Sequence, residues 1–224
     1  MNKFVIVASL LLISSPFSIA AQCGSASERE LALLEESRRM NAENASVQDE
    51  AARDPSARAL LAEPEKYTGG GAALHRKYER CLLAVAYVLT GKKKLAVARG
   101  SIGLYHDRKE ARGNRFYLGM DIAAPRGSYG GKDPFEKSAL RILEAHLGDV
   151  IAVAHSCTSL FSEESVAGMA VRFLWEGPGG ADSLVVWMDE RDLRKYEKSE
   201  LLLKELIGKS GITDAKGKLV RLIP

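Results

Sequence analysis

Between Met169 and Met188 the chain writes an alternating apolar pattern twice. Met169, Val171, Phe173 and Trp175 take every second position, Gly177 to Asp182 supplies turn chemistry, and Leu184, Val186 and Met188 alternate again. Side chains on a strand point to opposite faces at a period of two, so this spacing predicts a β-hairpin with one apolar face. Such a face must be covered by something equally apolar.

A second hairpin precedes the first. Phe116, Leu118, Met120 and Ile122 alternate with Tyr117, Gly119 and Asp121. Upstream, Leu95 to Val97 and Ile102 to Tyr105 read as one strand bent at Gly100 or as two short strands. The polar link from His106 to Asn114 joins them to the next strand as a hairpin. After the turn Asp214-Ala215-Lys216-Gly217, the tail from Lys218 to Ile223 predicts a short final strand.

The covering layer is written in helical spacing. Leu74, Tyr78, Cys81, Leu82, Val85, Val88 and Leu89 share a face over four turns. Gly91 ends the run, and Lys92 to Lys94 suit the negative end of a helix. A second helix opens at Asp133-Pro134-Phe135-Glu136, where Asp133 is placed to cap, Pro134 fits the first helical position and Glu136 bonds back. It reaches at least Leu147, with an extension to Ala154 left open. Leu193 to Ile207 predicts a third helix, split near Ser199. Helix, hairpin, helix, hairpin, helix, strand is an α+β plan: an antiparallel sheet of two hairpins plus a C-terminal strand, packed on one face by three helices.

Residues 21–66 read differently. They hold no aromatic and few large apolar residues, and from Glu28 to Lys66 the net charge is −4, against +6 from Tyr67 onward. The expectation is an acidic, partly helical leader, loosely packed, with Asn41 to Ser56 exposed. Thr68 to Gly71 is a joint, and the globular domain takes 67–224. Opposite charge draws the leader toward the domain, weakly and subject to screening by salt.

The first twenty residues predict export. Lys3 gives a positive start, Phe4 to Ile13 is apolar except for Ser9, and Ser14, Ser15 and Pro16 break the run. Ser18-Ile19-Ala20 places small residues where a signal peptidase reads, so cleavage is expected after Ala20, with Ala21 as the second choice. A membrane span needs about 20 apolar residues, more than this run supplies. Cys23 follows Gln22, where a lipid-attachment signal calls for Gly or Ala. The expected product is periplasmic or secreted, with no stable membrane insertion after cleavage.

Composition narrows the function classes. With 46% hydrophobic and 27% charged residues the chain can bury a core, and a net charge of +3 is too small to argue for nucleic acid. The three cysteines, Cys23, Cys81 and Cys157, match no metal or redox spacing. In an oxidising compartment two of them pair. The expected pair is Cys81 with Cys157, because Cys81 lies on the apolar stripe of the first helix and Cys157 ends the helical stretch begun at Pro134.

The residues that carry chemistry are few. The four histidines, His75, His106, His146 and His155, include no pair at the i, i+4 spacing of a helical metal site, so neither a metal nor a cofactor is expected. His106-Asp107 closes a strand and opens a loop, where Asp107 would orient His106 as a general base, yet no nucleophile adjoins them. Asp121 becomes a site candidate only if its face of the sheet is covered. The sequence therefore points to a non-catalytic exported accessory protein that binds a protein or envelope component. The alternatives are a small hydrolase using His106 and Asp107, with Asp121 as a further member, and a binder of a small ligand in a cleft between sheet and helices.

Overall fold

The computed structural model describes residues 43–64, 70–106, 115–125, 133–177 and 180–222. The chain divides into two units, Met1–Ser46 and Val47–Pro224. Of the first, only 43–46 are described, and they are helical. The signal segment, Cys23, Asp107 and most of the leader therefore lie outside the described residues.

The second unit is α+β. Its helices are α1 (47–53 within this unit), α2 (Pro55–Arg58), α3 (Gly70–Lys77), α4 (Glu79–Tyr87), α5 (Phe135–His155), α6 (Thr158–Phe161), α7 (Glu190–Glu197) and α8 (Leu203–Lys209). Its strands are β1 (Ala96–Val97), β2 (Gly103–His106), β3 (Phe116–Ala123), β4 (Val166–Gly177), β5 (Gly180–Asp189) and β6 (Gly211–Asp214). They form one sheet in the order β1-β3-β4-β5-β6, with β2 beside β1 on the same edge of β3. No described helix is long and apolar enough to cross a membrane.

Both expected hairpins are present, β2–β3 and β4–β5, and the bend at Gly100 separates two short strands. One pairing departs from the antiparallel plan. β3 and β4 run parallel, with Met120 beside Val171 and Ile122 beside Phe173. The cause is α5: its 21 residues run about 31 Å and return the chain to the starting end of the sheet. The final strand is also displaced. β6 precedes the turn at 215–217 instead of following it, and the tail adds only a bridge from Leu219 to Thr213.

The core lies between one sheet face and the helices. Leu118, Met120, Ile122 and Phe173 from the sheet meet Leu82, Leu83, Leu143 and Leu147 from the helices, all at 1% exposure or less. On α5 the buried positions Ala139, Ile142, Leu143, Leu147, Val150 and Ile151 recur every three or four residues. Its start differs from expectation. Pro134 takes the cap position and Asp133 lies one residue outside, bound to Lys137 at 3.0 Å and Arg141 at 3.1 Å. The hydrogen bond from Lys137, with Arg141 nearby, holds the Asp133 carboxyl below its usual range.

The first helical stripe is not one rod. It breaks at Tyr78 between α3 and α4, and Val88–Lys92 forms a wider π turn. Cys81 on α4 and Cys157 at the start of α6 sit at disulfide-bonding distance, with Cα atoms 5.8 Å apart. Closing a loop of 76 residues contributes up to about 4 kcal/mol in the chain-entropy treatment.

The segment 47–62 packs more closely than its composition suggested. Ala51, Ala57 and Ala62 are buried, and Leu60 joins them. Ile102 donates to the Leu60 carbonyl at 3.0 Å, and Ala62 donates to the Ile102 carbonyl at 2.8 Å. Alanine permits this approach because it brings the backbone near without side-chain bulk. A reading that counts only large apolar residues overlooks it. Exposed pairs, Arg58 with Glu79 at 2.7 Å and Arg80 with Asp49, join the segment to α4. Such pairs contribute less than about 1 kcal/mol each.

Candidate functional site

Because side chains alternate, the residues between the core positions form a second sheet face. Its rows follow from the register. One runs Asp121, Arg172, Val185, Thr213. The next runs Gly119, Ala170, Trp187, Gly211, and a third runs Tyr105, Tyr117, Gly168, Asp189. The small apolar cluster here, Tyr117, Ala167 and Ala170 with Val185 and Trp187 against it, draws on strands alone, whereas the helices' buried apolar residues belong to the main core. Among the described residues no buried apolar helix side chain joins this cluster, and in that sense it marks the open face of the sheet. Tyr117, Ala167 and Ala170 on it are themselves buried.

The middle row is small except for Trp187. Its neighbours complete the surface. The Tyr105 ring lies over Gly119, so a Cβ at Gly119 would collide with it. The Tyr105 hydroxyl donates to the Ser101 carbonyl at 2.8 Å, which fixes the ring. Tyr117 meets Trp187 edge to face at 5.2 Å between centroids. Trp187 is half-buried, which leaves aromatic surface in contact with solvent.

Beside this patch Arg172 holds Asp121 with two arms, Nε donating to Oδ1 at 3.0 Å and the terminal nitrogen to Oδ2. The bidentate geometry fixes both side chains. The hydrogen bond from Arg172 to Asp121 raises the guanidinium pKa further above its ordinary value. Asp121 thus stands on the open face in an ion pair.

The sequence candidates do not converge. His106 ends β2, exposed, directly opposite Phe116, with its ring edge-on to Phe116 at 5.7 Å. Asp121 lies five residues further along β3, about 16 Å away, and on the opposite face. Asp107, the proposed partner of His106, lies outside the described residues. Among the described residues, no group of three or more His, Cys, Asp or Glu side chains is arranged to hold a metal.

Two groupings escaped the sequence reading. Glu163, in the turn before β4, accepts hydrogen bonds from both Lys77 and Tyr78, and that contact with Lys77 holds its carboxyl below the usual range. His155 Nδ1 lies 2.9 Å from Glu197 Oε2. The partners in these groupings are 86, 85 and 42 residues apart, so no local spacing announces them.

No protein-family model matches this chain, and comparison with curated proteins and with solved structures likewise found no match.

Proposed function

We propose that this chain is an exported, non-catalytic accessory protein that docks a protein or cell-envelope component on the open face of its sheet. The carrying observation is that face: Trp187, Tyr117 and Tyr105 around a floor of Gly119 and Ala170, bordered by the Arg172–Asp121 pair. Rigid aromatic side chains give much contact area for little lost conformational freedom, and a fixed ion pair at the border supplies orientation. The Cys81–Cys157 pair and the leading pattern of Lys3, Phe4 to Ile13 and Ser18-Ile19-Ala20 support the exported setting. Within the hydrolase alternative, His106 and Asp121 sit on opposite faces, which argues against Asp121 as a member of that site, and Asp107 lies outside the described residues.

A photo-crosslinking residue at position 187 tests the reading in the native host, with the same residue at the exposed helical position 144 as control. A discrete adduct from position 187 alone is expected. Equal adducts from both positions would remove the open face as the docking surface. N-terminal sequencing of exported protein should return a chain beginning at Ala21 or Gln22, and recovery of intact Met1 would remove the exported setting.

A further inference from the structure

The last described stretch of chain, 218–222, runs along β6 without joining the sheet as a full strand. The Val220 N–H donates to the Ile212 carbonyl at 2.9 Å, and the Asp214 N–H donates to the Lys218 carbonyl at 2.9 Å. These two bonds flank the bridge between Leu219 and Thr213, which is therefore a non-hydrogen-bonded pair. The N–H and C=O of Leu219 point away from β6, and those of Arg221 follow by the period of two. Neither residue's backbone meets a hydrogen-bond partner among the described residues. This is a sheet edge whose ladder groups are free.

The side chains along this edge alternate. Val220 and Leu222 pack into the main core, whereas Leu219 is 72% exposed, the most exposed large apolar side chain among the described residues. Leu219 shares its side with Thr213, so it extends the row Asp121, Arg172, Val185, Thr213 on the open face. In the same register Arg221 falls beside Gly211, at the end of the Trp187 row. Asp182 and Asp214 have the parity of buried Leu184, so with Glu136 of α5 they belong to the covered side, as does Lys218. On the open side Arg221 has only Gly211, Thr213 and Leu219 around it at this edge, none of them charged.

We propose that this edge receives an extended segment of a partner protein, which pairs with the backbone of Leu219 and Arg221. It sets an apolar side chain beside Leu219 and, two residues along, a carboxylate beside Arg221. Main-chain bonds supply affinity, and the alternate side chains supply selection. Leu219 and Arg221 are exposed, so an incoming strand reaches them directly. A second copy of this tail offers another Arg221 and no carboxylate on that side. Binding here does not depend on docking at Trp187.

The test titrates the full nitrogen-15-labelled chain with an end-blocked peptide of sequence TVTLTETVT and with its lysine counterpart, TVTLTKTVT. The first should shift the amide signals of Leu219 and Arg221 and slow their exchange with solvent. It should bind about fivefold more tightly than the second. Arg221→Glu should reverse that preference. Leu219→Pro deletes an N–H that bonds nothing in the fold, so this variant should keep its melting temperature and lose the peptide. Equal affinity for the two peptides, an unreversed preference, undiminished binding by Leu219→Pro, or no binding of either peptide would each overturn the proposal. So would a dimer in sedimentation that Leu219→Pro dissolves, since a second copy would then hold the edge. Crosslinking from position 187 reads the aromatic patch and stands or falls separately from these outcomes.

Discussion

The two faces of the sheet are made by the same strands and are built to different rules. The covered face presents Leu118, Met120, Ile122, Phe173 and Val186, each fully or almost fully buried against helices. The open face presents glycine and alanine in its middle row and sets aromatic rings across them. Large aliphatic side chains fit where a second layer interdigitates with them. Small residues flanked by rings give a smooth surface that needs no second layer. A sheet with one face of each kind can fold on the first and present the second.

Substitutions that separate the faces sharpen this contrast. Phe173→Ala empties a fully buried site and should cost about 3–5 kcal/mol, measured by denaturant unfolding. Trp187→Ala, on the half-buried side, should cost only about 1–2 kcal/mol while removing the docking described above. Equal costs would mean that the open face is a second core. Gly119→Ala tests the smoothness of that face. Its new methyl group meets the Tyr105 ring, so a loss of about 1–3 kcal/mol and a shifted Tyr105 ring signal are expected. A Gly119→Ala chain as stable as the parent would show that the ring moves freely.

Acid sensitivity should trace to the helical side. Glu163 and Asp133 both have depressed carboxyl pKa values in the folded chain, set chiefly by their lysine partners. Folding therefore gains from them above their unfolded pKa values, 4.5 and 3.8, and that gain disappears as pH falls through and below those values. Glu163→Gln should flatten the acid limb of a stability-versus-pH curve below about pH 4.5, and an unchanged limb would contradict it. The smallest effect belongs to the connection from α7 to α8. Ser199 follows α7 in a Schellman turn, with Glu200 N–H bonded to the Lys195 carbonyl at 2.8 Å and Ser199 N–H to the Tyr196 carbonyl at 3.0 Å. Glycine suits that backbone better, so Ser199→Gly should add about 0.5–1 kcal/mol. A lower melting temperature would refute that account.

What the sequence disclosed follows physical range. Alternation at 116–122, 169–175 and 184–188 announced the strands and the buried face because side-chain direction is a local property. The helical stripe through Cys81 pointed to its meeting with Cys157. The parallel pairing of β3 with β4 stayed hidden, since the path of α5 across the sheet decides it and no residue in either strand does. The contacts of Ala51, Ala57 and Ala62 were also hidden, because alanine carries little apolar signal yet allows close approach. For the site, the face of Asp121 was legible and its partner Arg172 was not. His155 and Glu197 share no local pattern at all.

The Cys81–Cys157 link has a mechanical consequence. It encloses β1, β2, β3, all of α5 and most of α4, while β4, β5 and β6 lie outside the loop. Tension applied at the two chain ends passes through the bridge and bypasses the enclosed segment. Pulling would unzip the β4–β5 side and the segment before α4 first, then stall. A chain extended to its limit would measure roughly 270 Å less than its reduced form, at about 3.5 Å for each of the 76 residues spanned. Single-molecule extension with and without reductant reads that difference directly.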